Sequence, residues 1–185
     1  CFITPNNSKK IYQELSNNYS AIEPPTWSLL LAQSCRSIGF KVDIIDAVAE
    51  NLDDEDVKKR ILKKKPRFIC FVVYGQNVNA GTTSMSGAIR TADFIKKSNI
   101  KTLIGFIGSH VQALPIETLK KEKSIDIVFT NEGIYSLRNL LKKKEISINQ
   151  LSDIKGIGYK LNNEIKLNNP EKVVPQERMD VDLPG

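Results

Sequence analysis

Short apolar runs rich in β-formers alternate with amphipathic segments of helical spacing, again and again, over about 140 residues. That pattern narrows the choice of fold sharply. Parallel neighbours in a sheet need a long crossover, and a helix is the usual crossover, so the alternation predicts a parallel sheet covered on both faces. The strand-like runs are "CFIT" (1–4), "FKVDIID" (40–46), "RFICFVV" (67–73), "KTLIGFIG" (101–108) and "IDIVF" (125–129). "RFICFVV" is apolar almost without a break, as suits a central strand buried on both sides.

The spacing predicts helices over 26–38, 53–65, 84–98, 115–123 and 134–144. In the first, Trp27, Leu30, Leu31, Ser34, Cys35 and Ile38 fall on one face, and Gly39 stops it. The second opens acidic and closes basic, the order the helix dipole prefers. Pro115 stands where the missing N–H of a first turn costs little. Right-handed crossovers then give a doubly wound α/β fold with a five-stranded parallel sheet in the flavodoxin-like, Rossmann-like order 2-1-3-4-5.

The tail reads differently. "KGIGYKLNNEIKLNN" (155–169) predicts a β-hairpin turning at Asn162-Asn163, since Asn tolerates positive φ. Residues 1–145 form the α/β domain, 146–169 an appended hairpin packing on it, and 170–185, with two internal prolines and little periodicity, a linker leading elsewhere. Cys1 and the final "MDVDLPG" read as cut ends.

Charge and cysteine usage bound the function classes. The net charge is +6, but the basic residues sit in short clumps that close predicted helices, where cations complement the dipole. Neither a nucleic acid nor a membrane is therefore expected as partner. No run approaches the roughly 18 apolar residues of a membrane span. Cys1, Cys35 and Cys70 form no C-x-x-C pair and read as small buried hydrophobes in a reducing, cytoplasmic setting.

In an open parallel sheet, ligands bind outside the carboxyl ends of the strands. The informative loops are thus 5–25, 74–84, 108–115 and 130–133. "YGQNVNAGTTS" (74–84) is full of amides and hydroxyls and has no charged residue. Gly75, Gly81 and Gly108 leave room for close backbone approach. Amide and hydroxyl side chains both donate and accept, so the expected ligand carries many neutral polar groups. A valine at Gly108 is expected to block that ligand while leaving the fold largely intact. A P-loop and a G-x-G-x-x-G after the first strand are both absent. His110 is the only histidine, so neither a zinc site nor a nucleophile–base pair is readable.

Four stretches then carry a family resemblance: "EPPTWSLLLAQSCRSIGFKVDIIDA" (23–47), "YGQNVNAGTTSMSGAIRTADFIKK" (74–97), "IGSHVQALPIETL" (107–119) and "DIVFTNEGIYSLRNLL" (126–141). In order and spacing they resemble the N-terminal cobalamin-binding domain of cobalamin-dependent radical SAM enzymes. The resemblance implies cobalamin as cofactor, threaded between the sheet and the loops after the third and fourth strands. Tyr74, Gly75, Gln76, Thr82, Thr83 and Ser84 would line one side. Gly108, Ser109, His110, Val111, Ala113 and Leu114 would line the other, with Glu132 and Gly133 closing the tail pocket. The helix start near Ser84 would offer N–H groups to the phosphate.

The family pattern is not complete. The D-x-H-x-x-G motif is absent after the first strand, so no axial histidine is expected. The usual Gly-Gly is Gly108-Ser109 here, and "TNEGIY" lacks a first Gly and last Glu. C-x-x-x-C-x-x-C is absent, so the [4Fe-4S] cluster and S-adenosylmethionine are expected only in a downstream radical SAM domain, the other implied partner. The implied parent transfers a methyl group to, or rearranges, an unactivated carbon. Competing readings are a cofactor-free interaction or regulatory domain that keeps the fold, and a flavin- or nucleotide-binding protein of flavodoxin type.

Overall fold

A computed structural model describes residues 1–7, 22–74 and 78–183, with side chains left undescribed at 78–80. Five parallel strands form its centre: β1 (Phe2–Thr4), β2 (Ile44–Asp46), β3 (Ile69–Val73), β4 (Ile104–Gly108) and β5 (Ile127–Phe129). They stand in the order β2-β1-β3-β4-β5, as the alternation predicts. The sheet is wider than five strands, however. β6 (Ile157–Leu161) pairs antiparallel with β5, and β7 (Glu164–Leu167) pairs with β6, giving seven. The physical reason is the free edge of β5: a hairpin beside it satisfies the N–H and C=O groups that would otherwise lie open. Asn162 (φ 51°) and Asn163 (φ 65°) make its turn.

The strand residues alternate between two apolar layers. Phe2, Cys70, Val72, Ile107, Ile127 and Phe129 meet α1 (Thr26–Arg36) and α6 (Ile134–Leu141) on one face. Ile3, Ile69, Phe71, Val73, Phe106 and Val128 meet α2 (Asp54–Lys64), α3 (Val78–Lys97) and α5 (Pro115–Lys121) on the other. All five residues of β3 and of β4 are buried, which is why both read as unbroken apolar runs. Cys35 and Cys70 lie in this core as free thiols, and burial pushes the Cys35 thiol up to about 12.

Boundaries shift where pairing runs out. The second strand covers 44–46 rather than 40–46, because β1 offers only three partners: Phe2 to Ile44, Ile3 to Ile45 and Thr4 to Asp46. α3 starts at Val78, so most of the expected 74–84 loop is helix. Thr82 and Thr83 in its second turn are exposed, and exposed positions carry no apolar period. A further short helix, α4 (Ser109–Ala113), follows β4 directly, so this connection too is mostly helical.

Residues 170–183 lie against the domain. Asn131 Nδ2 donates to Glu171 O at 2.9 Å, and Val174 N donates to Glu132 Oε1 at 2.6 Å. At the end of this run, in α7 (Met179–Asp182), Asp182 forms a buried ion pair with Arg138 of α6 at 2.6 Å. Arg138 also donates to Ser34 O and Ser37 Oγ, and Tyr135 Oη donates to Asp182 Oδ2 at 2.7 Å. Hydrogen bonds from Arg178 and Tyr135, with Arg138 beside them, hold the Asp182 carboxyl well below the usual range against the opposing effect of burial. Among the described residues no helix is long and apolar enough to cross a membrane.

Gly108 has a structural task. A Cβ built on it would stand 2.2 Å from Val73 O, the backbone of the neighbouring strand, rather than in ligand space. The expectation that a valine there spares the fold is therefore wrong. Even Gly108→Ala should cost more than about 2 kcal/mol in urea unfolding, since a strand backbone cannot yield as a side chain can. Asp182→Asn should cost about 2–3 kcal/mol at neutral pH by leaving Arg138 without its counter-charge. The Asp182 pKa is depressed in the folded state, so its contribution is complete above the unfolded value near 4 and fades as pH falls below it. The gap in unfolding midpoint between the two proteins should accordingly narrow below about pH 4.

Candidate functional site

The chain leaves β1 towards β2 on one side and leaves β3 towards β4 on the other. The crevice between β1 and β3, at their carboxyl ends, is thus the topological switch point where this architecture places ligands. Thr4 closes β1, and its Oγ1 lies 3.1 Å from Ser28 Oγ in the first turn of α1. Tyr74 follows β3, Ser109 follows β4, and Thr130 follows β5.

The start of α3 carries two features. Thr82 and Thr83 are exposed and Ser84 half-buried, while Met85 and Ala88 turn into the core. Beside this hydroxyl edge docks the segment that leaves β1. Buried Asn7 donates from Nδ2 to Thr83 O at 2.7 Å and accepts from Ser86 Oγ at 3.3 Å. Gly87 makes the room, since a Cβ there would stand 2.8 Å from Asn6 O. The N–H groups left open at a helix start belong to its first turn. They fall at 78–81, not beside Ser84 as the sequence suggests.

The second wall comes from α4, which packs against α3. Ser109 and His110 are half-buried, Val111 is fully buried, and Ala113 and Leu114 are exposed. Thr82, Thr83 and Ser84 stand on one of these two packed helices, and Ser109 and His110 on the other. Val111 points into the core instead, and Gly108 serves the strand pair. Gly75 and Gln76 lie outside the described residues.

Gln112 ties the rim together. Its Nε2 donates to Tyr74 Oη and, at 2.7 Å, to Asn131 O, bridging the ends of β3 and β5. Tyr74 stacks on Trp27 with ring centroids 4.8 Å apart and planes at 25°. Burial pushes the Tyr74 phenol up to about 12, more than the Gln112 hydrogen bond lowers it, so the ring stays neutral at physiological pH. Gly133 adopts φ 81° as the cap of α6, with its N–H donated to Asn131 Oδ1 at 2.9 Å. Glu132, expected at the tail pocket, instead accepts from Val174 N.

Sequence reasoning missed Trp27, Gln112, Asn7 and Asn131. Trp27 packs against the core, as its helical face predicts, but as the second residue of α1 it also stands at the rim. Gln112 and Asn131 stand in loops already singled out, and only the folded geometry shows what they join. Thr82, Thr83, Ser84, Ser109 and Gln112 offer hydroxyls and an amide, and His110 a ring nitrogen. This suits a broad ligand fringed with neutral polar groups. Among the described residues no three His, Cys, Asp or Glu side chains cluster as a metal site.

Comparison with known proteins converges on one family. Residues 15–141 match the B12 binding domain. The uncharacterized methyltransferase PH0819 of Pyrococcus horikoshii is 28% identical over 162 residues, covering 88% of this chain and 33% of that protein. The cobalamin-dependent S-adenosylmethionine radical enzyme OxsB, with aqua-cobalamin and S-adenosylmethionine bound, superposes with a TM-score of 0.65 at 20% identity, over 93% of this chain and 22% of that one. The radical S-adenosylmethionine methyltransferase TsrM of Kitasatospora setae, with cobalamin and a [4Fe-4S] cluster bound, gives 0.67 at 13% identity, over 95% of this chain and 29% of that one. The two solved enzymes share the fold with this chain, which spans about a third of the curated relative and less of each enzyme. With more than half of its length matched, from the segment before α1 to the end of α6, the chain belongs to the B12 binding domain family.

Proposed function

We propose that the carboxyl rim beside α3 and α4 holds cobalamin, and that the chain serves as the cobalamin-carrying part of a radical SAM methyltransferase. One observation carries this reading: Thr82, Thr83 and Ser84 of α3 and Ser109 of α4 are neutral polar side chains on two helices that pack together next to the sheet's switch point. A corrin ring bears peripheral amides, and this donor and acceptor set fits them. The first turn of α3 supplies N–H groups for the single phosphate of the nucleotide tail. Bound cobalamin supplies a cobalt centre able to carry a methyl group, and the protein's share is to bind and orient it.

The cluster and S-adenosylmethionine belong, on this reading, to a radical SAM domain elsewhere in the whole protein. The reaction is methyl transfer to, or rearrangement at, an unactivated carbon. A cytoplasmic setting suits the buried free thiols of Cys35 and Cys70. A second reading, a cofactor-free interaction domain, is favoured by Gln112, Asn131 and Glu132, which are engaged within the chain itself.

Titration with hydroxocobalamin followed by absorbance separates the two. Binding should saturate well below about millimolar cobalamin, and Ser109→Leu should weaken it about tenfold. An unchanged spectrum at about millimolar cobalamin would establish the cofactor-free reading.

A further inference from the structure

We infer that Trp27, stacked on Tyr74, is an aromatic wall of the cobalamin seat and touches the bound corrin. The inference rests on the cobalamin reading above and adds to it a residue that no strand-end loop contributes.

The placement comes first. Trp27 is the second residue of α1, and the start of that helix is fixed at the rim by the contact of Ser28 with Thr4 at the end of β1. Tyr74 is the first residue past β3. The stacked rings therefore stand over the crevice between β1 and β3. Both rings pack one side against the core cluster of that face, and both remain only half-buried. An aromatic pair left part-open at a switch point offers apolar area and a flat π-face to a large planar ligand.

The pair is also held ready. Gln112 donates to Tyr74 Oη and anchors the ring to the backbone of Asn131. With Oη accepting from Gln112, the phenolic proton is left to donate. The carbonyls of the corrin's peripheral amides are acceptors of the right kind. A wall fixed before binding loses little side-chain entropy when the ligand arrives. Ordinary core packing accounts for the buried side of the stack. It does not account for a tryptophan kept half-buried at the mouth of the crevice.

The chain has one tryptophan, so 5-fluorotryptophan labelling gives one fluorine resonance, from position 27. Adding hydroxocobalamin to the labelled 185-residue chain should move that line, with the shift saturating together with the absorbance change. Trp27→Leu should weaken binding by about tenfold, and Trp27→Phe should recover most of the loss. Cobalamin bound by absorbance with the fluorine line unmoved would overturn the inference and leave the cobalamin reading standing. So would a folded Trp27→Leu protein that binds as tightly as the parent. No absorbance change in the unsubstituted chain would instead overturn the cobalamin reading itself. The fluorine measurement decides the matter even where the leucine variant fails to fold.

Discussion

The pairing of β3 with β4 is the constraint on which the rest is hung. Five residue pairs, from Ile69 with Ile104 to Val73 with Gly108, run in register through the middle of the sheet. Every one of those residues is buried, so each layer of helices packs onto the same two strands from its own side. Phe71 and Phe106 stack at 4.9 Å within one layer, while Cys70, Val72 and Ile107 fill the other. The register ends at Gly108, where the missing side chain lets the two backbones meet. Tyr74 and Ser109 step out of the sheet at one level for that reason. The site is a consequence of where this ladder stops.

What was legible in the sequence follows from the same constraint. A strand buried on both faces must be apolar throughout, and "ICFVV" and "IGFIG" announce themselves. Right-handed crossovers make such an alternation a doubly wound fold, and the expected flavodoxin-like order is the one the five parallel strands adopt. Turn chemistry was readable too, in Asn162-Asn163, because positive φ has few suitable residues. Periodicity failed where an element meets solvent or spare backbone. Thr82 and Thr83 of α3 are polar because they face outward, so helix looked like loop. β6 and β7 widen the sheet because β5 had an edge to cover, and edges do not show in the composition of the strand that owns them.

The candidate site was legible as composition and not as geometry. Hydroxyls at 82–84 and at 109 could be picked out, since neutral polar side chains stood where a parallel sheet keeps its ligands. Trp27, Gln112 and Asn131 could not, because each matters through a partner far along the chain. Gln112 lies 38 positions from Tyr74 and 19 from Asn131. The charges divide in a complementary way. Lys63, Lys64, Lys96, Lys97, Lys120 and Lys121 close their helices at the amino ends of the strands, away from the hydroxyls of the carboxyl rim. Helix dipoles explain that division without a polyanionic partner, since each C-terminus attracts its own cations.

Asn131 and Glu132 join the rim to the final segment of the chain. Asn131 accepts the N–H of Gly133, the cap of α6, through its side-chain oxygen, accepts from Gln112 through its backbone oxygen, and gives its amide to Glu171. Glu132 takes the N–H of Val174. The segment so held then runs to Asp182, whose carboxylate is matched to Arg138 in the helix that follows Asn131. α6 is therefore gripped at its start and at its middle by one stretch of chain. Its start is also the end of β5, beside the seat proposed for the cofactor. A displacement of residues 171–174 would release the bonds that fix Asn131, and with Asn131 the Gln112 brace beneath Tyr74 would lose one of its two acceptors. The course of residues 171–182 and the shape of the rim are thus joined by one hydrogen-bonded unit.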